Sequence, residues 1–147
     1  MTMMTQKHEF QIQRTHWARS APQLQKIRKQ VFVHEQKVPE ELEWDNLDDA
    51  AEHVLVCDSN GSAIATARLL DTGQIGRMAV LTPYRGRGIG HSMLSLLIET
   101  ARQKGFSQVF VHAQQSALGF YQKHGFEAEG ELFMEANIPH LHMILPL

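Results

Sequence analysis

The chain lacks the features that mark several common protein classes. Its single cysteine, Cys57, excludes an internal disulfide framework and suits a reducing cytoplasm. No stretch approaches the ~20 apolar residues of a membrane-spanning helix, and the segment from Met1 to Phe10 has no apolar centre of signal-peptide length. With 14 basic against 16 acidic side chains, the net charge of -2 gives no positive excess for a nucleic-acid face. There is no internal repeat and no low-complexity linker. What remains reads as one domain, residues 1–147, large enough to bury a full core. The expectation is a soluble cytoplasmic protein, monomer or homodimer, with neither nucleic acid nor membrane as partner.

The stretch that organises the chain is Val80-Leu-Thr-Pro-Tyr-Arg-Gly-Arg-Gly-Ile-Gly-His91. Arg77 to Leu81 is short and β-compatible, and Pro83 stops it. Gly86, Gly88 and Gly90 then alternate with Arg85, Arg87 and Ile89, directly before a long amphipathic segment. Glycines at this spacing let backbone N–H groups turn inward. The helix that follows adds unpaired N–H groups and the positive end of its dipole, which together suit a phosphate or pyrophosphate. A Walker A loop would need Gly-Lys-Ser/Thr where His91-Ser92 stands. A dinucleotide fingerprint would need G-x-G-x-x-G, and the spacing of Gly86, Gly88 and Gly90 does not provide it.

In chain order, Phe10–Arg14 alternates as a first strand. Ser20-Ala-Pro-Gln23 reads as a helix start, with Ser20 as cap and Gln23 closing a capping box. Leu24, Ile27 and Val31 share one helical face, Arg28, Phe32 and Glu35 form a second stripe, and Val38-Pro39 ends the signal. The run Glu40 to Glu52 holds seven acids around Trp44. Such a run is most simply a solvated face; the competing reading is a rim that attracts a cationic substrate. Trp44 argues that the loop packs somewhere.

Strands follow at His53–Asp58, Ala63–Leu70 and Ile75–Leu81, the first two joined by a turn centred on Asn60-Gly61. The helix from about Gly88 to Lys104 sets His91, Ser95, Glu99 and Arg102 opposite Ile89, Met93, Leu96, Leu97 and Ala101, with Leu94 and Ile98 flanking and Gly105 as C-cap. Gln108–Ala113 is a buried strand, parallel to the one before the helix. Ser116 caps a short helix, Ala117 to His124, and two more strands lie near Glu131–Met134 and His142–Leu145.

The order β, α, acidic loop, βββ, glycine loop–α, β, α, ββ, with Arg-x-x-Gly-x-Gly from Arg85 through Gly88 to Gly90, resembles the GCN5-related N-acetyltransferase superfamily. Phe120-Tyr-Gln-Lys-His-Gly-Phe126 resembles that superfamily's Phe-Tyr-x-x-x-Gly-Phe segment. Val31–Gln36, His53, Ile75-Gly-Arg77, Ala113-Gln114, and Gly130 through Ile138-Pro-His140 to Met143 are similar to the small bacterial ElaA/YjcF type. Asn137 departs from that type, which carries glycine there; Asn tolerates the same left-handed turn.

The resemblance implies an α/β (mixed α+β) acyl-CoA N-acyltransferase fold, mostly antiparallel with helices on both faces. It implies acetyl-CoA as co-substrate and an amine acceptor, joined by direct attack in a ternary complex. The strand of Met78, Ala79 and Val80 would splay from that of Val109–His112 and pair with the pantetheine amides. The pyrophosphate would rest on the amides from Arg85 through Gly86, Arg87, Gly88 and Ile89 to Gly90. Phe120 and Tyr121 would border CoA, with Tyr121 protonating the departing thiolate. Glu35, Asp45, His112, Gln114 and Glu135 are the acceptor-side candidates, and the first two together with His112 and Glu135 are candidate bases. His140-x-His142 has no third ligand at diagnostic spacing, so no metal is expected. Two alternatives remain: a non-catalytic CoA-binding or regulatory module, and a generic nucleotide-phosphate binder.

Overall fold

A computed structural model describes residues 10–147; the signal-peptide reading of Met1 to Phe10 falls mostly on residues outside that range. Seven strands form one sheet: β1 (Phe10–Thr15), β2 (Glu52–Asp58), β3 (Ala63–Leu69), β4 (Gln74–Val80), β5 (Gln108–Gln114), β6 (Glu127–Glu135) and β7 (Ile138–Pro146). Their spatial order is β1-β2-β3-β4-β5-β7-β6. Every pair is antiparallel except β4–β5. The helices are α1 (Trp17–Arg28), α2 (Glu40–Glu43), α3 (Ile89–Gln103) and α4 (Leu118–Gln122).

Period-two alternation divides the sheet between two cores. Val54, Val56, Ile64, Ala65, Val109 and Val111 pack with Met93, Leu94, Leu97 and Ile98 of α3. Leu55 and Ala79 instead meet Leu24, Ile27 and Val31 from α1 and its extension. Helices therefore cover both faces, as the resemblance implied. Leu94 and Ile98 are central to their core rather than flanking it. Gly105, at φ 84°, ends α3, and the amide of Phe106 reaches back to the Ala101 carbonyl.

Several local expectations need correction. α1 starts at Trp17 behind His16, not at Ser20. Ser20 is buried, 2.7 Å from the Thr15 hydroxyl, so the capping box with Gln23 does not form and Pro22 lies inside the helix. The helical signal does run on past Arg28, but as a π-helical turn, Lys29–Glu35, where the Gln36 amide bonds the Val31 carbonyl. Ser116 sits within a 3-10 turn, Gln115–Ala117, and caps nothing. The first hairpin bends through Ser59-Asn60; Gly61 follows at φ 82°, and Asp58 Oδ1 accepts from the amides of Asn60 and Ser62. The last two strands are longer than their sequence signal and meet at Ala136-Asn137, both at positive φ. Asn137 does adopt the left-handed conformation that its type tolerates.

β4 carries the irregularity that shapes the molecule. Its register against β3 slips between Thr66↔Ala79 and Arg68↔Gly76, leaving Arg77 at φ 48° in a bulge. Its pairing with β5 ends after Gln74↔Phe110 and Ile75↔Val111. Beyond Ile75 the two strands part.

Candidate active site

The parting of β4 and β5 opens a cavity of about 680 Å³. Met78, Ala79, Val80, Arg85, Gly90, Phe120, Tyr121, Asp45, His112, Gln114 and Glu135 all line it. The cavity thus gathers most of the candidates from the sequence. Glu35 is not among them and borders a separate recess beside Thr82 and Pro83.

One wall is the open edge of β4, whose backbone groups past Ile75 have no strand beside them on the β5 side. At its end, Gly86 and Gly88 hold φ 77° and 83°, and the amides of Gly86, Gly88, Ile89 and Gly90 donate to no backbone carbonyl among the described residues. Those N–H groups stand at the start of α3, the arrangement expected of a phosphate loop. Arg85 differs from the rest of that loop. Its guanidinium holds Glu35 through two bonds of 2.7 and 2.8 Å and the Val80 carbonyl at 2.8 Å, while its amide faces Thr82 at 3.3 Å. The bond from Arg85 holds the Glu35 carboxyl below its usual range. Both side chains are therefore engaged with each other.

α4 forms the back wall. Phe120 packs on Gly90, where an added Cβ would lie 3.3 Å from the ring. His91 Nδ1 lies 2.7 Å from His124 Nε2, so one ring donates to the other and fastens α4 to α3. Tyr121 is 8% exposed, and burial pushes its hydroxyl up to about 12. No described residue hydrogen-bonds that hydroxyl. The hydroxyl is thus held in its neutral form around neutral pH.

The acidic run divides: Glu40, Glu41 and Asp49 are exposed, as a solvated face would be, whereas Glu43, Asp45 and Asp48 are paired with arginines. Arg28, 1% exposed, bonds Glu43 at 2.8 Å and Asp48 at 2.6 Å. Arg68 holds Asp48 at 2.9 Å and meets Asp45 through both Nη atoms. Arg77, turned inward by the bulge, reaches Asp45 at 3.2 Å and the Glu43 carbonyl at 3.1 Å. Its Nε lies 3.0 Å from Glu43 Oε2 but is not aligned for a hydrogen bond, and Arg68 Nε is buried without a partner. Burial pushes the Asp45 carboxyl up, yet Arg68, the Leu47 amide and Arg77 together bring it down to about 2. Trp44 does pack, 5.1 Å from the Arg28 guanidinium, and bonds Glu40. The legible signal was Arg28 in a stripe with Phe32, followed closely by seven acids.

On the opposite side, strand register joins candidates that stand far apart in sequence. His112 pairs with His142, Gln114 with His140, and Phe133 with His140. His112 Nδ1 lies 3.1 Å from Glu135 Oε1, and His140 Nε2 lies 4.0 Å from Oε2. Gln114 bonds Gln36, at the end of the π turn, at 3.0 Å. Among the described residues no cluster of three or more His, Cys, Asp or Glu could hold a metal ion. No helix among them is long and apolar enough to cross a membrane.

A split parallel strand pair, a loop of amides without backbone partners and a buried tyrosine are the arrangement expected of a CoA-dependent acyltransferase. Comparison with known proteins gives the family. Residues 18–147 match the acetyltransferase (GNAT) domain, and the chain belongs to that family. It is 38% identical to the uncharacterized N-acetyltransferase YjcF of Bacillus subtilis (strain 168) over 121 residues, covering 80% of this chain and 86% of that one. The Escherichia coli ElaA structure superposes with a TM-score of 0.80 at 30% identity, over 91% of this chain and 98% of that one. An acyl-CoA N-acyltransferase from Pseudomonas aeruginosa gives 0.82 at 30% identity, over 92% and 98%. The chain is a member of the ElaA/YjcF-like group and transfers an acyl group from a CoA donor.

Proposed function

We propose that the protein is a cytoplasmic N-acetyltransferase that moves acetyl from acetyl-CoA to a primary amine by direct attack in a ternary complex. The observation that carries the reading is the parting of β4 from β5 between the amide loop and Tyr121. Met78, Ala79 and Val80 would pair with the pantetheine amides, and a β4 N–H would steady the thioester oxygen as it gains charge. The amides from Gly86 to Gly90 would hold the pyrophosphate. Arg85 contributes by tying the loop to Glu35 rather than by meeting phosphate with its side chain. Phe120 would flank CoA, and Tyr121 would give its proton to the sulfur as the C–S bond breaks. Burial next to Tyr121 raises a thiolate's proton affinity too, so transfer from a tyrosine pushed up to about 12 need not be far uphill.

The test is calorimetry of acetyl-CoA binding, followed by thiol release across amines, peptides and amino sugars. Acetyl-CoA binding with amine-dependent release supports the reading. Tight CoA binding without release from any acceptor would favour a regulatory CoA-binding module. No binding would remove both readings.

A further inference from the structure

Of the carboxylates that line the cavity, one has no permanent cation beside it. Glu43 and Asp45 are held by Arg28, Arg68 and Arg77, and the cationic Arg85 is held by Glu35. Glu135, 46% exposed, has only His112 and His140 as ion-pair partners among the described residues.

The two imidazoles are set differently. His140 Nδ1 lies 2.6 Å from the Ile138 carbonyl oxygen, which can only accept, so Nδ1 carries the proton. In the neutral ring, Nε2 then presents a lone pair 4.0 Å from Glu135 Oε2, which is also an acceptor. Two acceptors facing each other call for a donor between them. An ammonium with N–H directions ~109° apart and bonds of ~2.8 Å spans acceptors ~4.5 Å apart, close to this gap. His112, by contrast, turns Nδ1 to Glu135 Oε1. The carboxylate thereby favours the tautomer whose Nε2 is unprotonated, the form able to accept a proton.

We propose that the acceptor's ammonium docks between Glu135 Oε2 and His140 Nε2, and that the His112 imidazole takes the proton whose loss frees the amine lone pair. This rests on the N-acetyltransferase reading and names its acceptor class: a protonated primary amine. R–NH3+ gives one proton to His112. The lone pair then forms the N–C bond at the thioester carbonyl, and the C–S bond breaks with its electron pair on sulfur. Sulfur receives a proton from Tyr121, the second proton leaving nitrogen restores Tyr121 through water, and His112 releases its proton to solvent, so R–NH3+ and acetyl-CoA become R–NH–COCH3, CoA thiol and one released proton. Other groups facing the pair are His142 from β7, Phe110 and Gln114 from β5 and Phe133 from β6. The remaining charges lining the cavity are Glu43, Asp45, Arg68, Arg77 and Arg85.

Ethylamine and 2,2,2-trifluoroethylamine, similar in shape but unequal in basicity, test this at neutral pH by CoA-thiol release. Ethylamine arrives charged; the fluorinated amine arrives mostly neutral and needs neither docking as a cation nor a base. Glu135→Gln and His112→Gln should each lower kcat/KM for ethylamine by ~10²-fold or more. For trifluoroethylamine the same variants should change it by less than about threefold. Unchanged acetyl-CoA affinity shows that each variant is folded with its donor site intact. Equal losses for both amines, no loss for either, or no release by the unmutated protein with either amine would overturn the docking proposal. Failure of the unmutated protein to bind acetyl-CoA would instead overturn the acetyltransferase reading beneath it.

Discussion

Acids stand on both sides of the cavity, and what surrounds them decides what they do. On the loop side Glu43, Asp45 and Asp48 face three guanidinium groups. A guanidinium keeps its charge at every working pH, so these acids are neutralised for good and serve the fold. On the hairpin side Glu135 faces two imidazoles, which in their neutral form leave its charge unspent. Seven acids in thirteen residues left a cation-attracting rim as the competing reading to a solvated face. The lone acid beside histidines is the better place for a cation, because binding depends on the charge left after internal pairing rather than on the number of acids.

The largest test of this difference is Arg28→Met. It leaves Glu43 and Asp48 short of a partner in a buried setting, which should cost ~3–5 kcal/mol of stability in denaturant unfolding. Glu135→Gln, at a half-exposed position, should stay within ~0.5 kcal/mol of the unmutated protein. Equal stability losses would erase the distinction between the two sides.

Next in size is the donor side of the reaction. Tyr121→Phe should leave acetyl-CoA affinity nearly intact and lower kcat by ~10²-fold or less, since thiolate leaves fairly well unaided. Because the thiolate is common to every acceptor, ethylamine and trifluoroethylamine should fall together. Glu135→Gln should separate them. Full activity in Tyr121→Phe would mean that water or another group protonates sulfur.

Much of the architecture was legible because it repeats locally. Alternation located β1, short apolar runs between turn residues located the strands from β2 to β5, and the glycine loop before an amphipathic run located α3 and the amide cluster. What escaped depended on partners distant in sequence. The pairing of Arg28, Arg68 and Arg77 with three acids crosses from α1 and the loop to β3 and β4. The bulge that turns Arg77 inward is a property of the β3–β4 register, not of residues 76–78 alone. His112 and Glu135 could each be named, but only the order β5-β7-β6 sets them together. The π turn lies in a stretch that the sequence already carries as helix; its widening is a matter of backbone pairing, which the stripes of Val31 and Phe32 do not reveal.

The pH dependence of stability should separate in two stages as acid is added. His53 is buried against the Asp48 carbonyl, and burial holds its ring below its ordinary 6.5. Its unfolded form binds more protons between the folded value and 6.5, so this contribution is complete above 6.5 and is lost as pH falls. Asp45, down to about 2 from an ordinary 3.8, contributes fully above 3.8 and loses that contribution only as pH falls toward about 2. Urea midpoints should therefore begin to drop below 6.5 and drop again below 3.8. A single transition confined to the lower range would mean that His53 is not held neutral by the fold.

The smallest expected effect belongs to the acids the sequence made most conspicuous. Glu40 is exposed, holding Trp44 and, at 3.5 Å, Lys29, and Glu41 is exposed beside it. The acids nearer the cavity are matched by arginines, so little net field reaches an acceptor from this side. What field the exposed pair does create is screened over ~8 Å at physiological ionic strength. Glu40→Gln with Glu41→Gln should change the KM for ethylamine by less than about twofold. Glu135→Gln should raise that KM, because it removes the charge in direct contact with the ammonium. Contact at hydrogen-bond distance is screened far less than a surface field, so added salt should weaken ethylamine only modestly. If the double variant at Glu40 and Glu41 loses ethylamine selectivity as Glu135→Gln does, the loop steers the acceptor after all. The contrast between the two sides of the cavity would then be one of degree.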